Sequence, residues 1–560
     1  AGGLEPLGGC FAGLELRHVS RRSGTNNQST TRKCLPPSSR PQAVPPSPLL
    51  HPSRLRIKPL GHRRFALVSL LLGWPLLAPG CRAADGLAWP VPPPPAVRSD
   101  QPLLWVGLAA HLGSKPSAAP LLLESVKGPL ELVDAKGQRL LEPSLKLVWR
   151  SEPLASPLRI SRTVLGPFPS YEAANLAADR WRQQGVAVVI AHPADWEVWA
   201  PPGTAAPAGL KASQLSLRLV RRTALAAQGP KGTVALQGPI SLRAPAGLRW
   251  DGGVFKGPFR LQGDAYGSWT LVEVVPLERY LLGVVPHEIG AGAPGAALSA
   301  QAILARTWAL RNRQRFIADG YHLCADTQCQ VYGDPGQASS ELRRAVAATN
   351  RQLLSWRDQP IHAVYHASNG GVSAGFEEAW GGAPLPYLQA FADGPAPFRQ
   401  AFALPLTKQG LQALLRQGEA GYGADHPRYR WQRQLSAAQV GEALGAAGTA
   451  LGAVRRLVVL ERGASGRVLA LGIQGAKGSL VLRRDGIRRA LRQLPSTLFV
   501  VQPAGPGLWT LVGGGFGHGA GLSQAGAIDL ARRGWSVARI LEHYYPGTAL
   551  VPIEALKQGL

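Results

Sequence analysis

Residues 103–150 alternate between apolar and polar positions in short runs, such as 103–108 and 121–126. Alternation with a period of two is typical of half-buried β-strands. Runs of the same kind return between residues 210 and 280, most clearly at 233–236, 259–261 and 269–275. Both stretches are therefore predicted to form short strands joined by glycine-bearing turns.

Residues 158–200 follow a different pattern. A strand-like run up to Phe168 precedes a helical segment, in which Ser170 is a candidate N-cap and Glu172 favours the first turn. Gly185 is expected to end this helix, and two apolar runs after it, at 186–190 and 196–199, are expected to be strands. The order predicts a small α/β insert.

From residue 294 onward the apolar spacing becomes helical. Pro294 suits the first position of a helix that is expected to continue to about residue 316, with one face formed by Ala297, Gln301, Leu304 and Trp308. The pattern then predicts a hairpin over 351–366, further strands, and helices at 340–350, 407–418, 436–447, 484–492 and 523–533. Together the elements predict an α+β fold, a two-lobed region of mixed sheets and helices that carries the small α/β insert.

The first 102 residues differ from the rest. Residues 1–62 are rich in Arg, Ser, Pro and Gly without periodicity, which is typical of disorder or of sequence before the native start. Residues 63–84 combine two arginines, a short apolar run and small residues, the order of a cleaved signal peptide; an uncleaved anchor or a buried helix is the alternative. Residues 85–102 are Pro-rich and are interpreted as a linker. We therefore expect an exported protein of the periplasm or cell envelope.

Composition narrows the expected partners. Hydrophobic residues make up 45% of the 560 residues, which excludes a wholly disordered chain. Lys and Arg number 61 against 34 Asp and Glu, a net charge of +27, of which +17 lies beyond residues 1–84. A basic exported protein is expected to contact an anionic envelope component. Nucleic acid is not an expected partner, because no DNA-binding motif is recognised.

Of the five cysteines, only Cys324 and Cys329 lie beyond the predicted signal peptide. Two cysteines so close together in an exported protein indicate either a disulfide in a small loop or a metal site. The residues alone leave both alternatives open.

Four segments in the second half of the chain stand together in order. They read LERYLLGVVPHE at 277–288, HLCADTQCQVYG at 322–333, YHASNGG at 365–371 and GFGHGAGLSQAGA at 515–527. They resemble the SpoIID/LytB family over residues 210–552, the expected catalytic region, with residues 103–157 as its first part. The insert at 158–200 resembles a SPOR-type wall-binding module; an ordinary α/β insert is the alternative.

The SpoIID/LytB resemblance implies action on peptidoglycan. In this family the sporulation protein is a lytic transglycosylase, and the LytB relatives are described as amidase enhancers. We therefore expect cleavage of MurNAc–GlcNAc bonds by Glu288, which matches the residue assigned as catalytic and is expected at a strand-to-helix junction facing a cleft. The alternative is a non-catalytic peptidoglycan-binding enhancer of an N-acetylmuramoyl-L-alanine amidase. The expected partners are glycan strands stripped of stem peptides and, in the alternative, a cell-wall amidase.

Polar residues around these motifs are expected to bind the substrate. Arg306 is suited to pairing with a carboxylate of muramic acid, and a salt bridge that holds its helix is the alternative. Glycine-bearing turns are expected to donate hydrogen bonds to sugars. The expected binding residues are Gln301, Arg306, Tyr365, His366, Ser368, Asn369, His518, Ser523 and Gln524.

The cysteine segment also carries a metal hypothesis. Some family members hold zinc with one His and two Cys in this segment, which corresponds to His322, Cys324 and Cys329 here. The spacing from His322 to the cysteines is tighter than in the family, and a closed zinc site needs a fourth ligand. No cofactor is expected to be required. A structural zinc and a Cys324–Cys329 disulfide are the alternatives, and either is expected to hold residues 330–333 beside the cleft.

Overall fold

Strands dominate the first half of the structure, and helices and small sheets alternate in the second. The computed structural model describes residues 86–229, 232–492 and 494–556. The predicted leader at 1–62 and the predicted signal peptide at 63–84 lie outside these residues. All described residues belong to one compact unit.

The strands of the first half number fourteen within the described ranges. In chain order they are β1 (Leu103–Leu112), β2 (Leu121–Ser125), β3 (Leu130–Val133), β4 (Arg139–Glu142), β5 (Ser144–Phe168), β6 (Val189–Ala191), β7 (Trp196–Ala200), β8 (Ala212–Gly229), β9 (Gly232–Leu236), β10 (Ile240–Arg243), β11 (Leu248–Trp250), β12 (Gly253–Phe255), β13 (Phe259–Gly263) and β14 (Trp269–Pro276).

Shorter strands follow in the second half. They are β15 (Leu323–Cys324), β16 (Gln352–Trp356), β17 (Gln359–Pro360), β18 (Tyr365–His366), β19 (Val372–Ser373), β20 (Phe391–Ala392), β21 (Arg430–Ser436), β22 (Val454–Arg462), β23 (Val468–Gly475), β24 (Ser479–Arg483), β25 (Phe499–Gly505), β26 (Leu508–Gly514), β27 (Leu522–Ser523) and β28 (Ala549–Pro552).

The helices of the described residues lie mainly in the second half. They are α1 (Tyr171–Arg182), α2 (Leu277–Ile289), α3 (Gly295–Arg311), α4 (Ser340–Ala348), α5 (Phe376–Ala379), α6 (Ala396–Ala401), α7 (Lys408–Gln417), α8 (Ala437–Ala443), α9 (Ala446–Leu451), α10 (Asp485–Ala490), α11 (Gln524–Arg532) and α12 (Val537–Tyr544). The predicted α+β class is confirmed. No helix in the described ranges combines the length and the apolarity needed to cross a membrane.

Two large sheets form the first half and share one hydrophobic core. The first has the order β15-β1-β14-β13-β10-β3-β4, and the second has the order β12-β11-β2-β5-β7-β6 with β8 paired to β5 and β9. Leu132 on β3 and Leu147 on β5 are fully buried in the same cluster. Alternating burial along β2 and β3 matches the period of two that predicted these strands.

The longest strand, β5, crosses a position where the sequence indicated a boundary. It runs for 25 residues from Ser144 to Phe168, and its ladder with β8 continues past residue 157 with one irregularity between Pro153 and Leu158. The last part of β5 also pairs with β7 of the insert. The insert is therefore continuous with the second large sheet.

The insert contains the predicted strand, helix and two strands. Ser170 caps α1 by accepting a hydrogen bond from the Ala173 N–H. Trp181 is fully buried on the inner face of α1, and its indole N–H donates to the Ala205 carbonyl at 2.8 Å. Strands β6 and β7 then pair antiparallel.

Glu288 lies in the last turn of α2, a helix that the residue pattern did not predict. The expected strand-to-helix junction at this point is wrong, because Tyr280 and Val284 lie four residues apart on a buried helical face. The helix continues through Pro286, whose missing N–H costs one hydrogen bond near the end of the helix. Gly290, with φ of 87°, ends it.

Helix α3 is central to the main core. Every residue from 297 to 310 is buried, so this helix is surrounded by protein on all sides. It ends at Arg311 rather than near residue 316, because both the backbone N–H and the side-chain amide of Asn312 donate to the Trp308 carbonyl. Helices α2, α4, α11 and α12 all contact it.

The C-terminal half contains a second hydrophobic core. Sheets β21-β26-β25 and β22-β23-β24 pack around Trp431, Val468 and Phe499. The helix predicted at 436–447 is two helices, α8 and α9, because Gly445 takes a positive φ between them. The predicted hairpin at 351–366 is confirmed for β16 and β17, whereas β18 pairs with β27 instead.

The Pro-rich residues before β1, which composition indicates as a linker, lie against the folded region. Leu87 and Val97 are buried. The buried Arg162 donates to the Leu87 carbonyl at 2.6 Å, and His322 bonds the Pro95 carbonyl at 3.0 Å. This segment therefore contacts both large sheets, the second through Arg162 on β5 and the first through His322, which directly precedes β15.

Candidate functional site

A cleft of about 650 Å³ contains the carboxyl group of Glu288. Its lining comes from parts of the chain that are far apart in sequence: the end of α2, residues 327–331, residues 364–365, the loop at 516–518, the start of α1, and α10. Trp308 of the central helix and Trp380 supply aromatic surface. The motif segments at 277–288, 322–333, 365–371 and 515–527 thus meet around one site.

Glu288 is partly buried and has few hydrogen-bond donors. Its Oε1 accepts from the Val331 N–H at 3.1 Å. Burial raises the pKa of Glu288 to about 7, against the opposing effects of the Val331 N–H and the Gln524 side chain. A carboxylic acid with a pKa near neutrality is able both to release and to take up a proton at neutral pH.

Residues 330–333 are fixed to three different elements, α2, β14 and β18. The Gln330 side chain joins the hydroxyl groups of Tyr280 and Tyr365, at 3.2 and 2.7 Å. The Tyr332 hydroxyl donates to Glu273 at 2.8 Å, and the Gly333 N–H donates to the Gly283 carbonyl of α2. The N–H that contacts Glu288 is therefore held in place by the residues on both sides of it.

Gly283 allows this segment to approach α2 closely. A Cβ atom at residue 283 would lie 2.4 Å from the Gly333 carbonyl oxygen and 2.5 Å from the Tyr332 ring. Any larger side chain would push the segment away from the helix. The glycine in the first motif therefore sets the distance between Glu288 and its donor.

His518 and Tyr365, which are predicted to bind substrate, both line the cleft, but His518 is not suited to proton transfer. Its Nδ1 accepts from the Ala520 N–H at 3.2 Å, so its Nε2 donates to the Tyr365 carbonyl at 2.9 Å. Burial, with the nearby charge of Arg488, lowers the pKa of His518 to about 3. The ring is neutral and positions the backbone of Tyr365.

Four other predicted binding residues are buried and stabilise the loops behind the cleft. The Asn369 amide donates to Asp393 at 2.6 Å, and Ser368 pairs through its backbone with Phe516. Ser523 caps α11, and His366 bonds the Ala520 carbonyl at 3.1 Å. These contacts leave Ser368, Asn369, His366 and Ser523 behind the surface that a substrate would contact.

The structure places the three remaining predicted binding residues, Gln301, Arg306 and Gln524, in different surroundings. Gln524 lies beside Glu288 and lowers its pKa. Arg306 is fully buried in α3, where it forms a two-point ion pair with Glu278 at 2.6 and 2.8 Å and also donates to the Gln352 carbonyl. The expected contact of Arg306 with substrate is therefore replaced by the alternative, a salt bridge between α2 and α3. Gln301 is buried in the same helix and does not line the cleft.

The cysteine segment forms a disulfide and does not fit zinc. Cys324 and Cys329 are bonded to each other, with 5.6 Å between their Cα atoms. His322 uses both ring nitrogens, since Nδ1 accepts from the Trp105 N–H at 2.8 Å and Nε2 donates to the Pro95 carbonyl. The expected zinc set of His322, Cys324 and Cys329 is therefore not available as three free ligands.

The insert provides one wall of the cleft, which the residue pattern did not predict. Tyr171 and Glu172 line the cleft, and Arg315 stacks on the Tyr171 ring at 4.3 Å and pairs with Glu172. On the same side, the Ser170 hydroxyl donates to Asp485 of α10. The insert therefore contacts the C-terminal half across the cleft.

Helix α10 brings arginines to the opposite wall. Arg488, Arg489 and Arg492 line the cleft, and Arg489 pairs with Asp195 of the insert. Five arginines fall within residues 483–492, and three of them line the cleft: Arg488 and Arg489 on α10, and Arg492 just after it. That cluster is the sequence signal that would have indicated a basic surface here.

Comparison with known proteins identifies relatives of the region that forms the cleft. Residues 265–356 match the family model described as stage II sporulation protein, and residues 374–521 match a domain of unknown function. Stage II sporulation protein D of Bacillus subtilis (strain 168) is 27% identical over 299 residues, which cover 51% of this chain and 77% of that protein. Its counterpart in Bacillus amyloliquefaciens is 28% identical over 291 residues, which cover 49% of this chain and 74% of that protein.

An amidase enhancer of Bacillus subtilis (strain 168) is similar over the same share of the chain. It is 29% identical over 297 residues, which cover 48% of this chain and 40% of the enhancer. The family resemblance inferred from the four motifs is confirmed by these matches.

The two roles considered for Arg306 predict different effects of Arg306→Gln. Loss of the ion pair with Glu278 should lower the free energy of unfolding by about 2–4 kcal/mol, because the Glu278 carboxylate and the Gln352 carbonyl both lose the buried guanidinium that donates to them. Glycan affinity of the protein that remains folded should not change. Urea unfolding and glycan binding measure the two effects.

The control is Arg533→Gln, which removes an exposed two-point pair with Asp529. That change should cost less than about 1 kcal/mol. A stable Arg306→Gln protein with weakened glycan binding would assign Arg306 to the substrate instead.

The raised pKa of Glu288 predicts a pH-dependent stability. Between its ordinary pKa of 4.5 and the folded value of about 7, the unfolded carboxyl loses its proton before the folded one does. Stability should therefore fall as pH rises through this window and level off above pH 7, with a total change of at most about 3 kcal/mol. Glu288→Gln should remove this component, so the variant gains stability relative to the parent from pH 4 to pH 8.

Urea unfolding of both proteins across this pH range measures the difference. Glu341→Gln, a change at an exposed carboxylate, controls for the loss of one negative charge. Parallel pH profiles for the parent and Glu288→Gln would show that the Glu288 carboxyl is not withdrawn from water.

Proposed function

Since the chain is a member of the SpoIID/LytB family, we propose that it is a peptidoglycan lytic transglycosylase with Glu288 as its acid and base. The observation that carries this proposal is a partly buried carboxyl group in a cleft, held by one main-chain N–H, with a pKa raised to about 7. The other carboxylates that line the cleft within the described residues, Glu172 and Asp485, are engaged with Arg315 and Ser170.

The proposed reaction needs one carboxyl group because the substrate supplies the nucleophile. Protonated Glu288 donates to the oxygen that links MurNAc C1 to the next GlcNAc, and the C1–O bond breaks. The 6-hydroxyl of the same MurNAc then bonds to C1, and Glu288 takes its proton. The products are a 1,6-anhydro end and a free GlcNAc 4-hydroxyl, and the proton returns to Glu288 without use of water.

The proposal also covers where the protein acts in the cell and what the insert binds. A chain that acts on glycan strands must reach the envelope, in agreement with the signal peptide predicted at residues 63–84. The resemblance of residues 158–200 to a SPOR-type wall-binding module supports glycan binding by the insert. Tyr171 of that insert lines the same cleft as Glu288 and offers an aromatic surface for a sugar.

A second candidate is a glycan-binding protein that stimulates a cell-wall amidase. The similarity to an amidase enhancer over 48% of the chain favours it. In this role the cleft binds glycan and Glu288 contributes hydrogen bonds only. The two candidates differ in whether bonds break when purified protein meets purified glycan.

The test of the proposal is Glu288→Gln assayed on glycan strands stripped of stem peptides. Glutamine keeps the size of the side chain but cannot deliver a proton, so cleavage should fall by about 10²–10⁴-fold. Glycan binding should persist, because the cleft is unchanged. Chromatography of the released fragments measures cleavage, and co-sedimentation with glycan measures binding.

Glu341→Gln, at an exposed position outside the cleft, should cleave like the parent protein. Full activity of Glu288→Gln would remove Glu288 from the mechanism. A parent protein that binds glycan without cleaving it would favour the enhancer role.

A further inference from the structure

Five arginines of the part of the chain that the structure describes line the cleft, and two of them are already paired. Arg315 pairs with Glu172, and Arg489 pairs with Asp195. The other three are Arg428, Arg488 and Arg492. Among the described residues, none of these three has an acidic group within ion-pair distance.

Arg488 is the member of this group that reaches deepest into the protein. Its Nε is shielded from solvent and has no hydrogen-bond acceptor among the described residues. Burial lowers the pKa of Arg488, with Asp485 as the opposing charge. The charge of Arg488 in turn adds to the effect of burial in lowering the pKa of both His518 and His366.

The groups around Arg488 do not neutralise it. His518 and His366 are neutral, and both direct a ring N–H to backbone carbonyls. Asp485 accepts from the Ser170 hydroxyl on the insert side of the cleft. A guanidinium N–H withdrawn from water without an acceptor, as at Nε of Arg488, costs free energy, and a bound carboxylate would offset that cost with two parallel hydrogen bonds.

We propose that Arg488, assisted by Arg428 and Arg492, forms a subsite for a carboxylate group carried by the glycan. This inference rests on the proposed function, because it takes the ligand of the cleft to be peptidoglycan. Two sources supply such a carboxylate: the lactyl group of MurNAc when no stem peptide is attached, and the stem peptide itself. GlcNAc carries neither, so the subsite distinguishes peptidoglycan from an uncharged chitin-like strand.

Arg428 and Arg492 are exposed at the rim, whereas Arg488 is partly buried. Arg428 is also fixed over the Phe516 ring at 4.3 Å. Charges at the rim raise the local concentration of an anionic strand. The buried guanidinium supplies the directional contact, because its planar fork matches the geometry of a carboxylate.

The test measures binding with the full chain carrying Glu288→Gln, so that the ligand is not cleaved. Calorimetry compares three ligands: a peptide-free GlcNAc–MurNAc tetrasaccharide, chitotetraose, and the same tetrasaccharide with stem peptides. Adding Arg488→Gln should weaken binding of the peptide-free tetrasaccharide roughly 10- to 100-fold. Binding of chitotetraose should change by less than about threefold, since it offers no carboxylate to the guanidinium.

Two further variants keep the result interpretable. Arg483→Gln removes an arginine that precedes α10 but pairs with Glu461 outside the cleft, and it should leave all three affinities unchanged. Arg488→Lys keeps the charge and loses the fork, so it should give an intermediate loss even if Arg488→Gln lowers the melting temperature.

Each outcome has one meaning. A loss confined to the peptide-bearing ligand supports the subsite and assigns its carboxylate to the stem peptide. An equal loss for the peptide-free tetrasaccharide and chitotetraose, or no loss for any ligand, would overturn the subsite and leave the proposed function standing. A protein that bound none of the three ligands before Arg488 was changed would contradict the proposed function as well.

Discussion

One hydrogen bond, from the Val331 N–H to the Glu288 carboxyl, connects the end of α2 to the loop that follows the disulfide. The carboxyl group lies where burial disfavours its charge, and this donor sets its position. The donor in turn depends on Gln330, Tyr332 and Gly333, each tied to a different element. Loss of the N–H contact by itself would raise the pKa of Glu288 further, because this donor favours the charged form of the carboxyl.

The cleft around this carboxyl is assembled from both halves of the structure. The insert supplies Tyr171 and Glu172, and the C-terminal half supplies α10. Contacts from Ser170 to Asp485 and from Asp195 to Arg489 hold the two sides together. A substrate in this space therefore meets Glu288 together with several arginines, a combination suited to a polymer that is both a saccharide and an anion.

The sequence predicted the elements whose pattern is local. Alternation identified the strands of the first half, and Ser170 and Gly185 marked the ends of α1. Helix α2 was missed because Pro286 and the preceding strand residues obscure its helical spacing. The length of β5 was missed because exposed residues interrupt its alternation between 150 and 159.

The motifs predicted which segments form the site, but not which groups the individual side chains contact. The motifs identified Glu288 and placed residues 330–333 beside it, and the structure agrees. Residue type could not distinguish a ligand contact from an internal one, so Arg306 and Asn369 were assigned to substrate although both bond within the protein. The proposed role of Arg488 was missed because it depends on spatial surroundings that no motif encodes: within the described part of the chain, its Nε has no hydrogen-bond acceptor.

The most direct test of the central claim is digestion of peptide-free glycan strands in water enriched in ¹⁸O, followed by mass spectrometry of the new ends. If Glu288 directs the attack of the MurNAc 6-hydroxyl, the new ends are 1,6-anhydro sugars and carry no ¹⁸O. Incorporation of ¹⁸O at the new ends would identify a hydrolase and contradict the proposed mechanism. Absence of any new ends, with glycan bound, would contradict catalysis altogether.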